Sequence, residues 1–151
     1  MHTLTRTHHF TVPAAPEQVF PLLCPVREYD WLPHWRCELL HSASGVAEED
    51  CVFRTAFPDQ GPMLWVVSRY EPPARIEFTC FVADSHVQRL KIALTAEGET
   101  TRLDWTDRWL SVSLRGDSWL AAWPADEHAK KMDNLRRMLT HYLTIGQMLR
   151  P

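Results

Sequence analysis

Between residues 4 and 12 apolar and polar positions alternate, Leu4, Phe10 and Val12 against Thr5, Thr7 and Thr11, which is the period of a strand with one buried face. Pro13 ends it. The next stretch places Pro16 and Glu17 in a helical first turn and spaces Val19, Phe20, Leu22 and Leu23 over one face, so a short helix is predicted, closed by Pro25. A second short helical piece is expected over residues 27 to 35, interrupted by Pro33. From residue 36 the pattern has period two for about eighty residues, cut by turn signals at Ser44-Gly45, Pro58 to Pro62, Pro72-Pro73, Ala83 to Ser85 and Gly98-Glu99. Six consecutive strands follow from this, over 36–43, 50–57, 63–70, 75–82, 86–97 and 100–113. Trp119 and Trp123 then lead to Pro124, and Asp126 opens a long helix to about residue 149 with Met132, Leu135, Met138, Leu139, Tyr142, Ile145 and Leu149 along one side. One amphipathic helix laid against one curved antiparallel sheet is the expected α+β architecture.

The chain has 151 residues, which suits one domain over residues 1–151 with room for a sizeable core. Net charge is −3, so clustered cations for nucleic acid are lacking. The five glycines stand alone, which excludes a phosphate-cradling loop, a dinucleotide fingerprint and a nucleophile elbow. Cys24, Cys37, Cys51 and Cys80 have neither Cys-x-x-Cys nor another metal spacing, and no metal or cofactor is expected. Free core cysteines and the lack of an apolar signal core or spanning segment predict a cytoplasmic protein with no membrane insertion. Seven tryptophans are the compositional surprise.

The order of elements is that of the helix-grip fold. On His9-Phe10-Thr-Val12-Pro13-Ala-Ala-Pro16-Glu17-Gln-Val19-Phe20, Ser44-Gly45, Val52-Phe53-Arg-Thr55, Trp65-Val66-Val67, Tyr70-Glu71-Pro72-Pro73, Ile76-Glu-Phe78 and Thr101-Arg102-Leu103-Asp-Trp105-Thr106, the chain resembles the START, polyketide-cyclase and birch-pollen-allergen superfamily, called SRPBCC. The resemblance implies a seven-stranded curved antiparallel sheet wrapped around a long C-terminal helix, with two short helices between strands one and two. It covers nearly the whole chain. Its members include lipid carriers, hormone receptors and aromatase/cyclases, and a shared fold does not license a shared reaction.

The last two strands give the sharpest view of the interior. In the last one Leu103, Trp105 and Trp109 form an apolar row with Asp107 among them, and in the preceding one Leu90, Ile92 and Leu94 share parity with Gln88 and His86. A two-residue turn at Gly98-Glu99 pairs Glu97 with Thr100, Leu94 with Leu103, Ile92 with Trp105, Leu90 with Asp107, Gln88 with Trp109 and His86 with Ser111. Gln88 then lies diagonally beside Asp107, within hydrogen-bond reach. Asp107, Gln88 and His86 become the polar end of an apolar cavity walled by Trp105, Trp109, Phe78 and Phe53, while the plainer alternative has Asp107 at an open rim, hydrated or paired with an arginine. Trp31 and Trp35 flank His34, and could stack on an aromatic ligand with His34 moving a proton, or simply plug one end of the core. Thr55 and Trp65 lie in the motifs quoted above and join the ligand-binding candidates with the resemblance. Trp119 and Trp123 are candidates for a lid, a homodimer contact or packing on the sheet rim, and Lys130-Lys131 and Arg136-Arg137 read as outer-face charges.

The leading functional expectation is binding of a small hydrophobic or aromatic molecule between sheet and long helix, without defined catalysis and with no catalytic residue assigned. The resemblance also leaves open a polyketide cyclase/dehydratase-like enzyme using Asp107, His86 or His34, or a protein-interaction module of the co-chaperone kind.

Overall fold

The computed structural model describes residues 2–150. Strand β1 (Thr3–Val12) buries Phe10 and Val12 on one face, as its alternation requires. Helix α1 (Pro16–Val19) starts with Pro16 in its first turn and tightens into a 3-10 turn over Phe20–Leu23. Pro21 explains the tightening, because it has no N–H to continue the i to i−4 ladder. A second 3-10 turn covers Glu28–Asp30, and the chain then enters the sheet.

The six expected strands form as β2 (Glu38–His41), β3 (Val52–Phe57), β4 (Gly61–Glu71), β5 (Arg75–Val82), β6 (His86–Glu97) and β7 (Thr100–Ser111). They make one antiparallel sheet in the order β1-β7-β6-β5-β4-β3-β2, so the meander runs outward in sequence order and β1 adds to its far side. The β6–β7 hairpin turns at Gly98, whose φ of 62° suits the missing side chain. Its register pairs Glu97 with Thr100, Leu90 with Asp107, Gln88 with Trp109 and His86 with Ser111, the alignment the two-residue turn predicts.

Two features depart from the pattern reading. The segment Leu114–Ala121 is a helix, α2, although Gly116 lies inside it and glycine disfavours helix interiors. Tertiary contact compensates. Ser113 caps the helix by accepting the Gly116 N–H at 3.1 Å and donates its hydroxyl to the Asp84 carbonyl at 2.6 Å. A Cβ on residue 116 would stand 1.9 Å from the Ser85 carbonyl oxygen, so only glycine lets α2 sit this close to the β5–β6 turn. The long helix α3 (Glu127–Ile145) ends four residues earlier than the periodicity predicts. Gly146 takes a left-handed φ of 78° and returns its N–H to the Tyr142 carbonyl at 2.8 Å, a C-terminal stop that leaves Leu149 outside the helix.

The core lies between the concave face of the sheet and α3, which packs along β1. Val12, Val19, Trp31, Ile76, Leu103 and Leu139 are among its most completely buried members. All four cysteines are free thiols, three of them buried. No helix is long and apolar enough to cross a membrane, and among the described residues no group of three or more His, Cys, Asp or Glu is arranged to hold a metal ion.

Candidate functional site

Two adjoining cavities open between the sheet and α3. The larger, about 230 Å3, is lined by Trp31 and Trp35 from the connection before β2, Phe53 and Thr55 from β3, Trp65 from β4 and Phe78 from β5. Phe53 and Trp65 lie parallel, their centroids 5.8 Å apart and their planes within 1°, and Phe78 meets both edge-on at 6.2 and 6.3 Å. Three indole N–H groups are already engaged: Trp31 donates to the Leu22 carbonyl at 2.8 Å, Trp35 to the Pro25 carbonyl at 2.8 Å, and Trp65 to the Thr55 hydroxyl at 3.0 Å. The donors point into the protein, and the rings are left to form an apolar wall.

Glu28 also lines this cavity, and sequence reasoning missed it. Its carboxyl has no hydrogen-bond or ion-pair partner among the described residues, and burial pushes it up to about 8. The folded state therefore keeps a proton that the unfolded chain loses near 4.5, and the fold loses stability as pH rises between those values. Glu28→Gln is expected to leave stability nearly unchanged at pH 5 and to raise it by about 1–3 kcal/mol at pH 9, the partial exposure of the side chain trimming the effect. Urea denaturation at the two pH values measures the difference; an equal effect at both would refute it.

The smaller cavity, about 120 Å3, is lined by His86, Gln88, Asp107, Trp109, Trp119 and Trp123 among others. Asp107 is inside, 3% exposed, as the parity of β7 requires. The Gln88 amide donates to its Oδ1 at 2.8 Å, the diagonal bond expected from the register. Its Oδ2 lies 2.7 Å from Nε2 of His128, also 3% exposed, so the partner is neither water at a rim nor an arginine. His128 was missed from sequence although a signal existed: it stands four residues before Met132, on the same helical stripe. Trp109 meets the His128 ring edge-on at 6.0 Å.

His86 is held at the other side of the smaller cavity. Its Nδ1 is 2.8 Å from the Ser85 hydroxyl, Trp119 stacks on it at 4.1 Å, and burial, then Arg115, hold its imidazole below the ordinary value. Trp123 packs on Trp109 at 4.8 Å and on Trp119 at 5.2 Å. Helix α2 and the residues just after it thus bring an aromatic cover to the cavity, which makes Trp119 and Trp123 part of its wall.

The two cavities share Trp65, Leu90, Trp105 and Leu135, with Gln60 and Lys131 at the exposed margin of both. Lys131 is thereby corrected from an outer-face charge to a mouth residue, whereas Lys130 pairs with Asp126 at 2.9 Å on the surface. His34 is corrected as well. It is exposed, has a φ of 66°, and lines an outer groove with Tyr29, Arg36 and Arg150 rather than the interior. The left-handed backbone at His34 turns the segment, so the imidazole faces the outer groove, which Trp35 also borders, while Trp31 stays buried.

A curved seven-stranded antiparallel sheet gripping one long helix, with an aromatic-lined space between them, defines a helix-grip protein with an internal cavity. Residues 1–140 match the model of the family described as polyketide cyclase / dehydrase and lipid transport, and the chain belongs to that family. No curated protein matches it. Among solved structures it is similar to that of Ara h 8.0201 at 16% identity, TM-score 0.67, over 95% of this chain and 99% of that one. DynU16, a protein of the dynemicin biosynthetic locus, matches at 21% identity and TM-score 0.63 over 95% of this chain, which spans about half (48%) of DynU16. CalU16 from Micromonospora echinospora matches at 16% identity and TM-score 0.63, over 92% of this chain and 73% of that one. At these identities the structures share the fold.

Proposed function

We propose that the protein binds one small hydrophobic or aromatic molecule in the space between the sheet and α3. The observation that carries this reading is the larger cavity, where Phe53, Trp65 and Phe78 form an ordered aromatic wall whose polar atoms are satisfied within the protein. A well-packed interior has few voids larger than a water molecule, and an apolar void forfeits contacts that a guest would restore. Its volume falls just below the usual range for ligand pockets, roughly 300–1,000 Å3, which favours a guest of two or three fused rings or a short chain. The family description, which couples cyclase and dehydrase activity with lipid transport, agrees with a guest of this character.

Titration with 2-naphthol, followed by quenching of tryptophan fluorescence, is expected to saturate with one molecule per chain. Leu135→Phe would fill space common to both cavities and is expected to weaken binding at least about tenfold, some 1.4 kcal/mol, with an unchanged circular dichroism spectrum. Unchanged affinity in that variant would place the guest elsewhere and refute the reading.

A further inference from the structure

Glu28 weakens the fold at neutral and higher pH, and the larger cavity gives it no partner. Glu28, Trp31, Leu32 and Trp35 follow the three-four spacing of one face along a run of turns, and all four line that cavity. The Glu28 carbonyl accepts the Trp31 N–H at 3.3 Å and the Leu32 N–H at 2.9 Å, which fixes the stem of the carboxyl beside both side chains. Burial holds that carboxyl up to about 8, and no hydrogen bond or ion pair among the described residues offsets the cost. Its oxygens nevertheless stay open. The unpartnered side-chain atoms sealed from solvent are, among the described residues, Trp105 Nε1 and Thr140 Oγ1, so the Glu28 oxygens keep access to the space beside them. The sheet offers them no charge: toward this cavity β3 to β7 present aromatic and aliphatic side chains and the Thr55 hydroxyl, which already accepts from Trp65. Helix α3 contributes Lys131, which is exposed at the margin and makes no ion pair with Glu28. Arg27, next in sequence, is taken by Asp30 at 2.8 Å, and the nearby Cys37 thiol is itself raised by burial.

We propose that the larger cavity is a site for an aromatic amine, whose rings lie among the indole and phenyl faces and whose ammonium group pairs with the Glu28 carboxylate. This rests on the binding reading above and names the class of guest. An ammonium group answers both features of the site at once, because it donates charge-assisted hydrogen bonds to a carboxylate and is attracted by the ring faces of Trp31 and Trp35. A neutral guest of the same shape leaves Glu28 without a counter-charge, and an anionic guest is repelled by it. The pairing also fixes the sign of the pH dependence. Below about 8 the empty site holds a proton on Glu28, which the ammonium group displaces to the buffer. Affinity therefore rises with pH until Glu28 is ionised, and falls only when the amine loses its own proton.

The probes are 2-naphthylmethylamine and its uncharged counterpart of the same shape, 2-naphthalenemethanol, each titrated by tryptophan fluorescence at two pH values, about 6 and about 8.5, on either side of the Glu28 titration. At the higher pH the amine is expected to bind at least about tenfold more tightly than the alcohol, the scale of one hydrogen bond to a charged group. Between the two pH values its affinity is expected to rise at least about tenfold, while that of the alcohol changes less than about threefold. Glu28→Gln keeps the shape and removes the charge, and is expected to bring the amine within about threefold of the alcohol without altering alcohol binding. Calorimetry of the amine at the lower pH, in buffers of different ionisation enthalpy, is expected to show about one proton released per guest, which a merely structural Glu28 would not give. Equal affinity of the two probes for the intact protein, or a preference for the amine that survives Glu28→Gln, overturns the proposal and leaves the binding reading standing; failure of both probes to bind counts against both.

Discussion

His128→Leu is expected to destabilise the fold by about 3–5 kcal/mol, the range for stranding a buried carboxylate by removing its partner. The substitution leaves Asp107 buried with Gln88 as its remaining side-chain partner among the described residues, and leucine cannot donate to Oδ2. The cost comes from the stranded carboxylate rather than from lost helix propensity, since leucine is a better helix former than histidine. Replacing both residues, Asp107→Leu with His128→Leu, is therefore expected to recover most of the loss, because no unpaired charge remains. Urea denaturation of the two single variants and the double one gives the coupling directly. Additive losses would show that the pair does not act as a unit.

Trp31→Ala is the second large effect, at about 3–5 kcal/mol. The indole is 2% exposed, sits between the 3-10 turns and the larger cavity, and donates to the Leu22 carbonyl at 2.8 Å. Truncation removes its transfer energy, leaves a void that merges with an existing cavity, and strands a carbonyl. Trp31→Phe keeps much of the volume and loses the donor, so a smaller cost, about 1–2 kcal/mol, is expected. Trp119→Ala provides the contrast. That ring is 36% exposed on α2, and its removal is expected to cost under about 1 kcal/mol while uncovering His86. Equal losses at Trp31 and Trp119 in urea denaturation would contradict the division between core and cover.

The interior of the β6–β7 hairpin was readable before any coordinates, and Trp65 shows where such reading stops. Strand parity is a local property: once a two-residue turn aligns β6 with β7, every inward side chain follows, including Asp107 and its bond to Gln88. On β4 the parity is interrupted, because the register against β5 shifts between Val67 and Arg69 and both Leu64 and Val66 are apolar on the outer side. Trp65 could be placed only by resemblance. The positive φ at His34 is likewise a single backbone choice, and no periodicity announces it.

By itself, then, the sequence determined the order of the strands, the register of the last hairpin and the inward direction of Asp107, Trp105 and Trp109, since period-two alternation and turn chemistry act within a few residues. The tertiary structure decided the rest of the site. His128 reaches Asp107 from another element 21 residues away, Glu28 acquires its raised carboxyl by burial, Lys131 comes to the cavity mouth, and Gly116 admits α2 against Ser85. Each depends on how α2, α3 and the first connection settle on the sheet, and a helix's azimuth is set by the packing of its whole face rather than by spacing along its own chain.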